Sequence, residues 1–506
     1  MHPLLIETAA DLDAAACLEV ADGRMLDLAP GMLAALRTRR DGLLERLASG
    51  GDVYGVTTGM GAASTIRLDA DAQSRQQENL MLARAIGSAP WLSVHETRAV
   101  LVVRLATFLT LDAGVSPELC ACLVDMLNGC VHPAIPSTRL GAAGEIIPLA
   151  HLGGAITGSG RLLAATAADS PAGVGDTTVD APRRLTLGPK EGVALIEGVP
   201  VTTGLALLRA RDARTLVTQI TVALAAELAI TGASRDPYRA EVARGDGVFG
   251  EVSARILSLA GPEGSAAALQ APLSFRVAGP ALASVLRAAG AVEAAASRAL
   301  IGVTDSPAFV GDRVVGDRFV GDRFVGTAGF DGFDLASTLD ALRVAVTHVA
   351  EVSAARLHRL LDDRFTGLPR QLSARPGLHA GMVTVHKRAV GVVHELVRTS
   401  APASLGAIET SLGQEDVQSF SVSAAVAAGV AFDGARDVLA CELLAVVQAR
   451  RLGGAGAGGA GAGDPVHPAF VLVALLDAAL PAGTTDRPFG RDIDLICGML
   501  DRGWAI

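Results

Sequence analysis

Three stretches decide what this chain can fold into. Residues 202–230, 334–361 and 421–451 each carry apolar residues at helical spacing over many turns. In the first, Leu205, Leu208, Leu216, Ile220, Leu224 and Leu228 recur on one side, and the charges of Arg209, Arg211, Asp212 and Arg214 cluster at one level. In the second, Leu342, Val346, Val349, Leu357 and Leu360 do the same. Helices of this length are long enough to cross the centre of a bundle. Composition supports them: half of the residues are hydrophobic but only 3% are aromatic, so the core must be built from Ala, Leu and Val. Such a core favours close-packed helices over sheets that rely on aromatic and β-branched side chains.

At 506 residues the chain has room for two to four domains and easily buries a core. A net charge of −10 with no basic run speaks against a nucleic-acid partner. Cys17, Cys120, Cys122, Cys130, Cys441 and Cys497 lack both the paired spacing and the neighbouring histidines of a zinc site. In a long chain with no signal sequence at its start they read as reduced core residues of a cytoplasmic protein. The apolar helices are interrupted by charges, so no membrane span is expected. No ligand spacing asks for a metal.

Along the chain, residues 1–50 read as a small mixed start ended by Gly50-Gly51. Val53 to Gly61 has three glycines in seven residues and must be a loop, with Tyr54 on a backbone free to bend. Residues 73–128 read as two helices linked through Gly87-Ser88-Ala89-Pro90. Arg139 to His151 is a Gly-rich turn entering an apolar segment that Gly153-Gly154 should stop, and 153–160 and 176–184 read as loops with short strands. Further helices are expected over 282–300 and 378–396. Gly311 to Val325 is a five-residue repeat of Gly, Asp, Arg and apolar residues that predicts a strand or hairpin excursion. Gly453 to Gly463 is pure Gly and Ala, a flexible link. Three segments follow: 1–200 with the Tyr54 loop and the Ala142-Ala143-Gly144 turn, 201–451 as a helical bundle, and 452–506 as link and closing helical segment.

Several motifs, in order, resemble the histidine and phenylalanine ammonia-lyase family. They are Tyr54-Gly55-Val56-Thr57-Thr58-Gly59-Met60-Gly61, Gly141-Ala142-Ala143-Gly144-Glu145 with Pro148-Leu149-Ala150-His151, Lys190-Glu191-Gly192-Val193-Ala194-Leu195-Ile196-Glu197-Gly198, Gln270-Ala271-Pro272-Leu273-Ser274-Phe275-Arg276 and Gln414-Glu415-Asp416. The resemblance spans Tyr54 to Asp492. It implies a mainly α, fumarase-like fold with a long central helix bundle, a homotetramer with shared active sites, Tyr54 as the base that removes the substrate's β-proton, and Arg276 as a clamp on its carboxylate. It further places Glu415 at the substrate's amino end or ring and Gln414 among the substrate-binding residues.

The resemblance breaks at the chemistry. In that family an Ala-Ser-Gly run cyclises to the electrophile methylidene-imidazolone, and water is lost from the serine. Here the middle residue is Ala143, with no hydroxyl to lose, so no prosthetic group is expected. The family's asparagine is Glu197, its second tyrosine Leu273, another asparagine Ser306, and its ring-contacting histidine Arg84. A carboxylate cannot donate as an amide does. If Arg84 points into the pocket, the substrate carries an acidic or strongly polar group.

This pattern predicts a lyase working without the electrophile, abstracting a proton from a small carboxylate and eliminating an amine, as from a quaternary, betaine-type nitrogen. Glu197 and Glu415 would accept, donate or shelter a cation. Three other readings stay open: a Ser-to-Ala inactivated ammonia-lyase or aminomutase, an isomerase or cyclase of specialised metabolism, and a non-catalytic ligand-binding homologue.

Overall fold

The computed structural model describes residues 2–164, 178–263, 269–311, 313–315, 318–453 and 467–505. The Gly/Ala link expected over 453–463 lies outside the described residues after Gly453, and residues 176 and 177 of the expected loop region lie outside them too. The described chain is mainly α, with short two-stranded pairings. It divides into two compact units interleaved in sequence. Residues 1–209, 291–340 and 402–426 form the first, and residues 210–290, 341–401 and 427–506 the second.

In the first unit, helix Ala70–Arg84 packs on Ile146–Thr157 and on the short helix Glu191–Ile196. Val94–Leu109 packs on Ala14–Ala21 and Pro117–Asn128. Where two helices were expected over 73–128, three form: Ala70–Arg84, Val94–Leu109 and Pro117–Asn128. The break comes from Leu111 and Gly114, both with positive φ (73° and 62°), and from a fresh start at Ser116-Pro117, where the Ser116 hydroxyl accepts the Leu119 N–H at 3.2 Å.

A second expectation also fails. Gly153-Gly154 do not stop the apolar segment: helix Ile146–Thr157 runs through them and ends at Gly158, left-handed at φ 81°. These glycines serve close approach. A β-carbon on Gly153 would lie 2.1 Å from Met81 Sδ, so the helix sits against Ala70–Arg84 at a distance no side chain permits.

The Gly-Asp-Arg repeat forms the expected hairpin: Ala308–Val310 pairs antiparallel with Arg323–Val325, and Arg313–Val315 with Arg318–Val320.

In the second unit three buried charges meet. Arg356 Nε lies 2.8 Å from Glu227 Oε2 and its Nη2 2.7 Å from Glu442 Oε1, with no side chain above 1% exposed. Closing helix Phe489–Asp501 is held by Gln219, whose amide donates to the carbonyls of Leu500 and Trp504. The stretch Glu191–Thr231 is long and apolar enough to cross a membrane by composition, yet 94% of its apolar window is buried inside the fold. It is a core helix by that measure.

Candidate active site

The loop carrying Tyr54 is fixed by its own backbone. Gly59 lies where a β-carbon would come 2.5 Å from the Ala63 carbonyl, and the Gly61 N–H donates to Tyr54 Oη at 2.7 Å. Gln77, buried in helix Ala70–Arg84, donates to the Gly55 carbonyl at 3.3 Å. The Tyr54 phenol is pushed above its ordinary range first by burial and then by Glu197 and Glu415, while the Gly61 N–H and Arg84 pull the other way. It is therefore a neutral phenol around neutral pH.

Arg84 ends helix Ala70–Arg84 and is half-buried. Its Nη2 approaches Met60 Sδ at 3.8 Å, and no described carboxylate pairs with it. Burial lowers its pKa, and Tyr54, Glu197 and Glu415 favour the cation. Those three groups and Arg84 therefore share one electrostatic neighbourhood.

Glu197 follows helix Glu191–Ile196, and the reason that short helix exists is local. Lys190 enters it in a left-handed conformation (φ 68°), and Gln77 Oε1 accepts the Gly192 and Val193 N–H groups at 3.0 and 3.2 Å. Glu191 anchors the entry by accepting from the Ser116 and Gly188 N–H groups at 2.9 and 2.7 Å. Buried Arg104 donates to the Glu197 carbonyl at 2.8 Å, and Lys190 forms a buried ion pair with Asp305. The Glu197 side chain is 8% exposed, and no described residue donates a hydrogen bond to its carboxyl oxygens. Burial, then the negative charge of Asp305, push its pKa up to about 8 against Lys190, Arg104 and Arg84.

The sign of that shift makes a prediction. The folded state holds the Glu197 proton more tightly than the unfolded chain, so this group costs stability as pH rises from its ordinary 4.5 to about 8. Glu197→Gln is expected to flatten the fall of melting temperature over that window, removing a slope of up to about 1.4 kcal/mol per pH unit. Thermal melts of both proteins at several pH values check this. Parallel curves would show that Glu197 titrates normally.

The Ala142-Ala143-Gly144 turn keeps a special backbone. Gly144 is left-handed (φ 68°), and a β-carbon there would press on the Phe330 carbonyl at 3.3 Å. The next residue, Glu145, is buried and accepts the Val201 and Thr202 N–H groups at 2.6 and 2.7 Å. A carboxyl thus caps helix Pro200–Thr231, and burial raises its pKa to about 7 despite those donors. The cap ties the turn to the segment that begins at Glu197, four residues before Val201.

Glu415 lies just past the 3₁₀ turn Ser411–Gly413, which packs against the turn Gly61–Ala63 beside Tyr54. Its Oε2 accepts the Thr410 hydroxyl at 2.9 Å. Gln414 is exposed. Ser306 accepts the Thr327 N–H at 3.3 Å and directly follows Asp305, the neighbour of Glu197. The first unit thus brings together Tyr54, Arg84, Glu197 and Glu415. Leu273 and Arg276 belong to the second unit. There Leu273 is 65% exposed, Arg276 Nη1 donates to Gln270 Oε1 at 3.0 Å, and both line a cavity of about 430 Å³ with Ser234, Asp236 and Phe249.

Sequence reasoning missed Gln77, Arg104, Glu145, Lys190 and Asp305 as parts of this site. Signals existed for Glu145 and Lys190, which stand inside the quoted motifs, and for Asp305, which directly precedes Ser306. Gln77 and Arg104 are ordinary polar letters in helices, and their burial alone distinguishes them.

The fold and this arrangement define a family. The model of the family described as aromatic amino acid lyase matches residues 12–466. Histidine ammonia-lyase of Gloeobacter violaceus is 32% identical over 498 residues, covering 94% of this chain and 91% of the relative. A probable histidine ammonia-lyase of Halobacterium salinarum is 33% identical over 441 residues, 84% of this chain and 83% of the relative. Two solved structures share the fold with TM-scores of 0.87. One is an ergothioneine-degrading enzyme from Treponema denticola, 22% identical with both chains fully covered, and the other a tyrosine aminomutase from Streptomyces globisporus, 24% identical over 100% of this chain and 98% of that one. The chain belongs to the aromatic amino acid lyase family.

Proposed function

We propose that the protein is a C–N lyase that works without the family's prosthetic group, on a small carboxylate bearing a quaternary nitrogen and an acidic or strongly polar side group. The observation that carries this reading is the cluster itself: a phenol, a guanidinium with no described carboxylate partner and two carboxyls share one electrostatic neighbourhood in the unit that also carries a turn whose central side chain is a methyl. The turn retains its left-handed glycine and its capped exit, but Ala143 has no hydroxyl to lose as water. The residues present therefore do not fit a methylidene-imidazolone.

Chemistry then selects the leaving group. A primary ammonium loses an N–H proton more readily than the β-carbon loses a C–H proton, and the resulting neutral amine is a poor leaving group. A quaternary nitrogen has no N–H, and it leaves as a neutral tertiary amine. The base takes the β-proton, the C–H electron pair becomes the C=C bond, and the C–N pair departs with the amine. The products are an α,β-unsaturated carboxylate, a tertiary amine and a proton on the base.

Tyr54 is the proposed base. A permanent cation beside it counters Glu197 and Glu415, the two charges that hold its proton on. Arg84, half-buried with no carboxylate partner among the described residues, receives the acidic or polar group. Arg276 is proposed to hold the substrate carboxylate, and a homotetramer is proposed as the assembly, both as the resemblance implies.

Two measurements test this reading. Intact mass spectrometry is expected to give the unmodified sequence mass, whereas a loss of water would show that a cyclised group had formed. Incubation with histidine, phenylalanine, aspartate and glutamate and with their trimethylated betaines, ergothioneine included, is expected to release trimethylamine from a betaine and no ammonia. Ammonia release from a free amino acid, or no turnover and no binding across the panel, overturns the proposal.

A further inference from the structure

We propose that a buried water sits between Arg104 Nε and Asp305 Oδ1 and closes a hydrogen-bonded ring around the short helix Glu191–Ile196. Its place in the fold is independent of what the site turns over.

The ring is built from both ends of that helix. At the entry, Lys190 is buried and its ammonium is paired to Asp305 Oδ2. At the exit, Arg104 Nη1 donates to the carbonyls of Ala194 and Glu197. Arg104 comes from helix Val94–Leu109, and Asp305 from the stretch after helix Ala278–Ile301. Two side chains from distant segments thus hold opposite ends of one six-residue helix. The remaining link is the one between those two side chains. Arg104 and Asp305 are 2% and 8% exposed, and neither Arg104 Nε nor Asp305 Oδ1 finds a hydrogen-bond partner among the described residues.

Both residues line one small cavity in the first unit, together with Thr107, Thr110, Asp112 and Thr304. Its volume is about 10 Å³, room for about one water. The two orphaned atoms then set the chemistry of the occupant. A guanidinium N–H needs an acceptor and a carboxylate oxygen needs a donor, so the occupant must be both. Ammonium accepts nothing, chloride donates nothing, and a metal cation has no lone pair to offer the N–H. Water accepts from Nε and donates to Oδ1.

Its second proton also has a place. The Thr107 and Thr110 hydroxyls donate to the carbonyls of Arg104 and Thr107 at 3.0 and 2.8 Å, which leaves lone pairs on both hydroxyl oxygens to accept. Three hydrogen bonds are the usual complement of a buried water. Without it, a charged donor and a charged acceptor would each bear the cost of burial unpaired.

The ring bears on the acid that follows the helix. Gly198 is left-handed (φ 89°), and a β-carbon there would lie 2.9 Å from Arg104 Nη2 and 3.0 Å from Thr304 Oγ1. The corner after Glu197 is therefore seated on two residues that line the same cavity. By fixing the guanidinium, the water fixes the direction in which the chain leaves Glu197.

A crystal structure of the natural protein tests this directly. It is expected to show one density peak within about 2.7–3.2 Å of both Arg104 Nε and Asp305 Oδ1. Direct contact between those two atoms, the absence of a peak between them, or an anomalous peak there after a bromide or thallium(I) soak, which marks an ion, overturns the proposal. Hydrogen exchange gives a second test in solution. Arg104→Ala and Asp305→Ala are each expected to speed exchange of the amides over 191–197. The double variant is expected to exchange scarcely faster than the faster single one, because either change opens the same ring. Effects that multiply in the double variant overturn the ring, and where a variant fails to fold the crystal structure of the natural protein decides.

Discussion

Tyr54→Phe is expected to slow elimination about 10²–10⁴-fold on whichever betaine the protein turns over, the range typical for loss of a positioned general base. Binding of the substrate should change far less, because the ring and the loop that carries it remain. The loss is confined to the phenol oxygen, which accepts the Gly61 N–H at 2.7 Å and is otherwise free to meet the substrate. A pH dependence accompanies it. Burial and the two carboxyls hold the Tyr54 proton on, so kcat/KM of the natural protein is expected to climb with pH as the phenolate fraction grows. The Phe variant should lack that climb. Full turnover by Tyr54→Phe would assign the base elsewhere, with Glu415 next in line.

Arg356→Leu is expected to cost about 3–5 kcal/mol, the effect of removing one partner from a buried ionic group. Glu227, Arg356 and Glu442 are all sealed from solvent, and Arg356 also donates to Ser353 Oγ at 2.9 Å. Burial and the neighbouring Glu442 raise the Glu227 pKa, and burial raises that of Glu442 against the pull of Arg356, so the guanidinium is what favours the ionised form of both acids. Without the guanidinium both acids must carry protons in the folded state. The folded-state pKa values then lie further above the unfolded ones, and the variant is expected to lose more stability at pH 8 than at pH 5. Urea denaturation at the two pH values measures this. A triple replacement by Met, Leu and Leu should recover most of the loss, because an apolar trio of similar volume has no charge to desolvate. A small, pH-independent effect of Arg356→Leu would show that water reaches the cluster.

The helices were the most legible part of the sequence, for a physical reason. Apolar spacing over many turns is a redundant signal, so 202–230, 334–361 and 421–451 appear as Pro200–Thr231, Phe333–Leu360 and Ser421–Gly453. Single-residue punctuation was less legible. Gly153-Gly154 looked like a stop and is a contact surface, because a glycine required by packing and one required by conformation are the same letter. The interleaving of the two units was invisible, since periodicity is local and says nothing about which distant segments meet. At the site, the ordered motifs pointed to Tyr54, Glu197 and Glu415, and Arg84 was found by its departure from a pattern. The groups that tune them, Lys190, Asp305 and Arg104, were hidden because a charged letter carries no mark of burial. Arg356, Glu227 and Glu442 were hidden for the same reason.

Gln77 joins two parts of the site that are far apart in the chain. Its amide nitrogen holds the carbonyl of Gly55, and its amide oxygen holds the first N–H groups of the helix that leads to Glu197. The loop bearing the phenol and the helix ending at the buried acid are therefore fastened by a single uncharged side chain. Any outward swing of that loop to admit a ligand must stretch or break a contact with the same side chain that starts the Glu197 helix.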